Sequence, residues 1–187
     1  MAQAPALLKG PFTVESFQRL GALGVLREDE RVELVGGQVV AMTPIGQRHA
    51  ACVRRFNRLF ARSLGDRAII DVQNPAVLGP RDAPQPDVVL LAPRPDGYRT
   101  HPRAADILLI VEVADTTIAY DRDIKIPLYA HAMIPEAWIV DLGAGVIHTY
   151  RDPSPRGYAT ARVVARSESL EPLRFAGIAL PAQEVLD

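Results

Sequence analysis

One cysteine, one tryptophan and two lysines are the scarcities of this 187-residue chain. Cys52 has no partner for an internal disulfide, which excludes a disulfide-stapled fold and points to a reducing compartment. No uninterrupted apolar run exceeds five residues, Ile107 to Val111 being one. A membrane helix needs about 20. Met1 to Gly10 has neither the basic start nor the apolar stretch of a secretion signal, so a cytoplasmic location is expected. An excess of one charge is missing too: 21 basic and 22 acidic residues leave a net charge of -1. That balance argues against coating nucleic acid by bulk electrostatics, while leaving room for a local basic patch. The only lysines are Lys9 and Lys125, so a lysine inside a structured segment stands out.

What is present suits a folded domain. The chain is 48% hydrophobic and 23% charged, ordinary proportions for a soluble globule, and long enough to bury a core of its own. A single domain is expected, with a core over residues 46–150, an N-terminal helix and hairpin extension over 1–45, and a C-terminal extension over 151–187.

Thr13 reads as the N-cap of a short helix over 13–24, ended by Gly21 and Gly24. Arg31 to Leu34 and Gln38 to Met42 flank Val35-Gly36-Gly37, a hairpin signal. Val53, Phe56, Leu59, Phe60 and Leu64 recur at helical spacing from Gln47 to Leu64, with Gly65 as the C-cap. Strands are expected over Ala68–Val72, Asp87–Leu91 and Ile107–Val113, with a proline-containing loop over 92–106. Ile118 to Ala132 reads as a helix that Pro127 kinks or restarts. Ala137–Val140 and Val146–Tyr150 read as two strands of a hairpin, and the tail shows only weak strands near Ala161–Val164. This order implies an α/β fold with a mixed sheet.

If the strands opened by Asp87 and nearly closed by Glu112 pair antiparallel, both carboxylates land at one end of the sheet. Each interrupts an apolar run, where an unpaired buried carboxylate costs several kcal/mol. A hard divalent cation would compensate them. An exposed strand end or an arginine ion pair would do so as well. Asp121, Lys125 and Tyr129 follow at i, i+4 and i+8 on the next helix, so Lys125 either reaches the carboxylate end or pairs with Asp121 on a solvated face. Two carboxylates and an ammonium suit metal-assisted phosphodiester hydrolysis, with Mg²⁺ or Mn²⁺ polarising the phosphate and the lysine serving the transition state.

Gln85-Pro86-Asp87-Val88-Val89, Leu109-Ile110-Val111-Glu112-Val113, Tyr120-Asp121 with Lys125 and Tyr129, and Pro135-Glu136-Ala137-Trp138-Ile139-Val140-Asp141 together resemble the Uma-two family of restriction-endonuclease-like proteins. The likeness runs from about Val32 to Tyr150 and more loosely beyond. It implies a PD-(D/E)xK nuclease fold: a restriction-endonuclease-like mixed central β-sheet flanked by helices, with a metal site of Asp87 and Glu112 at one end and DNA as the substrate. The superfamily's usual lysine position, two residues after the glutamate, is Ala114 here, and the family pattern instead matches Lys125. Glu33 and His49 also fall at family positions. Glu33 is either a third carboxylate of the metal site or an exposed hairpin charge, and His49 either a ligand or a helix-start hydrogen-bonding group.

Arg54, Arg58 and Arg62 form a row that either tracks DNA phosphates or is the solvated face of its helix. Trp138 and Cys52 read as packing residues, and His101, His131 and His148 lack ligand spacing. There is no G-x-S-x-G elbow, Walker loop or G-x-G-x-x-G fingerprint. A non-catalytic binding or scaffold protein of the same fold is the second expectation. With no separate reading domain in so short a chain, the expectation is either limited specificity or specificity through a homodimer.

Overall fold

The computed structural model describes residues 6–8, 10–27 and 30–187. Strand β1 (Ala6–Leu8) leads to helix α1 (Val14–Ala22), where Thr13 and Ser16 make a reciprocal capping box. The helix stops at Ala22, and Gly24 takes up the left-handed conformation at φ 70°. Strands β2 (Val32–Val35) and β3 (Gln38–Ala41) form the expected hairpin. Its two-residue loop needs positive φ at both positions, supplied by Gly36 (58°) and Gly37 (75°). Strand β1, which has no signal in the sequence pattern, pairs with β3 to form a three-stranded sheet in the order β1-β3-β2. Leu34, Val39 and Ala83 form its small core, joined by Val14 and Phe17 of α1.

Helix α2 (Gln47–Leu64) buries Cys52, Val53, Phe56, Leu59, Phe60 and Leu64 on one face, as its spacing predicts, and ends at Gly65. A six-stranded sheet follows, built from β4 (Ile69–Val72), β5 (Val88–Leu91), β6 (Ile107–Ala114), β7 (Glu136–Asp141), β8 (Val146–Ser154) and β9 (Gly157–Ala165). Sequence order is spatial order, and every neighbouring pair is antiparallel except β6 and β7. The parallel pair needs a crossover, which α3 (Ile118–Tyr120), a π turn (Asp121–Lys125) and α4 (Ile126–His131) provide. One core lies between α2 and the sheet, with Trp138 against Phe56 and Phe60 at ring-centroid distances of 6.3 and 6.2 Å. A second lies under the crossover, around Ile110, Ile126, Tyr129 and Ile139.

Two expectations change in detail. The expected restart at Pro127 takes the form of a π turn that passes into α4. Proline has no N–H to offer the carbonyl four residues back, and just ahead of it the backbone widens so that the Ile126 N–H bonds the Asp121 carbonyl. Pro127 then sits in the first turn of α4. The tail is more regular than weak strands suggest, because β8 continues past residue 150 and β9 adds a nine-residue sheet edge. Only Val164 of β9 is buried, so this strand carries little of the apolar alternation that marks a strand in sequence. A short β10 (Ser169–Leu170) and β11 (Leu180–Pro181) ladder and helix α5 (Gln183–Leu186) close the far end of α2. No helix among the described residues is long and apolar enough to cross a membrane.

Candidate active site

Antiparallel pairing of β5 with β6 sets Val88 opposite Val111, and so brings Asp87 beside Glu112 at one end of the sheet. Both are buried, which removes the exposed-strand-end reading. Asp87 Oδ2 accepts the Val113 N–H at 2.8 Å, locking the carboxylate to the neighbouring strand. Its Oδ1 faces His49 Nε2 at 2.9 Å and the Gln73 side-chain amide at 3.2 Å. His49 therefore bonds across to Asp87 rather than to its own helix start, and its Nδ1 is buried without a partner among the described residues.

The crossover supplies the cation. Lys125 projects from the π turn into the protein, 4% exposed, with Nζ 3.1 Å from Glu112 Oε1 and 3.2 Å from Glu33 Oε2. The solvated Asp121–Lys125 face does not form. Asp121 is itself buried and accepts the Thr117 hydroxyl at 2.7 Å. The Tyr129 hydroxyl donates to Glu112 Oε1. Glu33 is buried as well, which excludes the exposed hairpin charge. It accepts the Gln85 N–H at 3.0 Å and the Tyr120 hydroxyl at 3.2 Å.

Gln73 carries no site signal of its own in the sequence, and Gln85 enters only through the family resemblance. No motif marks a neutral amide, and the positive φ of Gln73 (54°) is visible only in the fold. Tyr120 had appeared only as part of the family resemblance.

The charges shape one another. Burial pushes the Glu112 carboxyl well above its ordinary value, against the pull of Lys125 and with the added repulsion of Asp121 and Asp87. Asp121 is raised by burial too, partly offset by Lys125 and Thr117. Burial also works against Asp87, but His49, Lys125 and the Val113 N–H together outweigh it and hold this carboxyl below its ordinary value. For Lys125 burial favours the neutral amine, and the surrounding Glu112, Glu33, Asp121 and Asp87 overcome it and keep the ammonium. Burial first, then the charge of Glu112, raises Tyr129, which stays a phenol and a donor.

Glu33, His49, Asp87, Glu112, Asp121 and Lys125 all line one cleft of about 620 Å³. Among the described residues no three His, Cys, Asp or Glu side chains form a ready metal cage. Mg²⁺ does not need one, since it is commonly held by one or two carboxylates together with water and substrate phosphate. The hard oxygen donors of Asp87 and Glu112 fit that chemistry, and the hydrogen bonds from Lys125 and Tyr129 to Glu112 both fall on Oε1.

The arginine row is elsewhere. Arg54, Arg58 and Arg62 are exposed on the side of α2 opposite Phe56 and Phe60, none lines the cleft, and Arg62 pairs with Glu184 at 2.9 Å. Arg48 is the arginine of α2 at the site end, bound to Asp115 at 2.9 Å and to the Leu142 carbonyl at 2.6 Å. Cys52 is packed in the core, its thiol pushed up to about 12 by burial.

Residues 14–183 match the Uma2 (Uma-two) family, described as "Putative restriction endonuclease". The chain belongs to the Uma2 family. Its fold is similar to the crystal structure of "a putative nuclease belonging to DUF820" from Anabaena variabilis ATCC 29413. That likeness has a TM-score of 0.71 at 13% identity, covering 94% of this chain and 98% of the other. The six-stranded mixed sheet of this Uma2 protein is thus a restriction-endonuclease-like fold. No curated protein matches the sequence.

Proposed function

We propose that this Uma2 protein is a divalent-metal-dependent endonuclease that hydrolyses DNA phosphodiester bonds, with Asp87, Glu112 and Lys125 as its catalytic residues. The observation that carries the reading is the convergence, at one sheet end and in one cleft, of two buried carboxylates with a buried ammonium 3.1 Å from one of them. Asp87 and Glu112 would hold Mg²⁺ or Mn²⁺, which polarises a phosphate and favours ionisation of a bound water.

The remaining steps belong to the protein's own groups. Lys125 enters the reaction already protonated, because four carboxylates surround it. Its ammonium donates to a non-bridging phosphate oxygen as negative charge builds there, in a site where the donor needs no reorganisation. Tyr129 holds one oxygen of Glu112, leaving Oε2 for the cation. His49 and the Val113 N–H fix both oxygens of Asp87. Asp121 adds negative charge beside Lys125. The test is relaxation of supercoiled plasmid by purified protein with Mg²⁺ or Mn²⁺, abolished by EDTA and by Glu112→Gln.

One observation favours the second reading, a non-catalytic binding module, alone or as a dimer. Glu112 Oε1 is already engaged by Lys125 and Tyr129 without any metal. A thermal melt separates the two. Mn²⁺ raises the melting temperature of a metal-binding enzyme by mass action and Glu112→Gln removes that gain, whereas the binding module shows no response.

A further inference from the structure

Glu33 reaches the cleft from outside the six-stranded sheet. Side chains alternate along a strand, and in β2 this sends Leu34 into the small core shared with α1 while Glu33 lines the cleft. The Gln85 N–H grips its Oε2 and the Tyr120 hydroxyl its Oε1, so the carboxylate is fixed from two elements. Its charged partner is Lys125, at 3.2 Å, with both side chains no more than 5% exposed.

An ammonium has three N–H donors on a flexible four-carbon stem. A single carboxylate would let it pivot. Glu112 and Glu33 approach Nζ from the central and the N-terminal sheet and engage it at two points.

We propose that Glu33 is a positioning residue, which holds the Lys125 ammonium between two carboxylates and keeps its third N–H available for a phosphate oxygen. The proposal rests on the nuclease reading of the cleft, and it makes the N-terminal sheet a working part of the site. It also separates Glu33 from the metal-binding carboxylates.

Glu33→Gln keeps the side-chain shape and an oxygen acceptor while removing the charge. Three readouts decide the matter. Calorimetry with Mn²⁺ is expected to give an affinity within about twofold of wild type, and plasmid cleavage to show kcat lowered roughly 10- to 100-fold at unchanged KM, the scale of a misplaced catalytic group. Without metal or DNA, the ¹⁵Nζ–¹H cross-peak of Lys125, assigned by its loss in Lys125→Met, is expected in wild type and absent from Glu33→Gln. Wild-type kcat with the cross-peak retained would overturn the proposal. So would a loss of Mn²⁺ binding equal to that of Glu112→Gln, which would make Glu33 a ligand. If wild type cuts no plasmid at all, the nuclease reading fails and the cross-peak alone decides whether the clamp exists. Should Glu33→Gln not fold, Tyr120→Phe releases Glu33 Oε1 instead: a broadened Lys125 cross-peak supports the clamp and an unaltered one overturns it.

Discussion

Lys125 follows Glu112 by thirteen residues, yet its Nζ lies 3.1 Å from Glu112 Oε1 inside the protein. A strand, a sharp exit and a π turn carry the chain from one to the other. This pairing lets a cation from the crossover serve a carboxylate on the sheet.

Breaking the pair from one side leaves a buried charge uncompensated. Lys125→Met is expected to destabilise the fold by about 3–5 kcal/mol, the usual range when one partner of a buried ion pair is removed. The double variant Glu112→Gln with Lys125→Met is expected to lose less than the sum of the two single changes. Urea denaturation of the four proteins measures the difference, and strict additivity would mean that the two groups do not interact.

The two strand carboxylates give opposite pH slopes. Asp87 is held below its ordinary 3.8, so its contribution is present above that value and is lost as pH falls through the folded-state value. Asp87→Asn is expected to lack this acid loss. Glu112 is raised above its ordinary 4.5, so ionising it favours the unfolded chain once pH exceeds 4.5. The stability of Glu112→Gln relative to wild type is therefore expected to rise from pH 4.5 toward neutrality. Thermal melts of the three proteins from well below pH 3.8 up to neutrality check both signs, and parallel profiles would contradict them.

The arginine row on α2 is exposed and lines no part of the cleft. Combined Arg54→Ala and Arg58→Ala substitutions are expected to leave plasmid cleavage within about twofold of wild type, as befits a solvated face without phosphate contacts. A larger loss, relieved at low salt, would place DNA along that face.

Glu136 is fully buried on β7, where Oε1 accepts from Trp138 Nε1 at 2.9 Å and from Arg151 Nε at 2.8 Å. Arg151 is partly exposed, so Arg151→Ala is expected to cost about 2–3 kcal/mol, below the range for a wholly buried pair. Trp138 is the single tryptophan, and its emission reports the change directly.

Much of this arrangement was legible in the sequence because it depends on regular spacing. The apolar stripe of α2 and the runs of β5 and β6 defined their elements, and antiparallel pairing then placed Asp87 with Glu112. Asp121, Lys125 and Tyr129 were legible as one face, although the widened turn ahead of Pro127 was not, since it answers to a missing N–H rather than to a pattern. The hydrogen bonds of Gln73 and Gln85 depend on loops brought together only by the folded sheet. Strand β9 showed only as a weak signal near Ala161–Val164, because an exposed edge need not alternate. Glu33 was legible as a candidate, but its pairing with Lys125 joins the N-terminal sheet to the crossover and has no local signature.

The most direct test of the central claim is the nicking of supercoiled plasmid by wild type, Asp87→Asn and Glu112→Gln purified side by side, with Mn²⁺ and with EDTA. The account predicts cleavage by wild type with Mn²⁺ only, and a loss of about a thousandfold or more in each variant, as expected when a charge-stabilising group is removed. Equal cleavage by all three proteins, or none by wild type at any metal concentration, would contradict it.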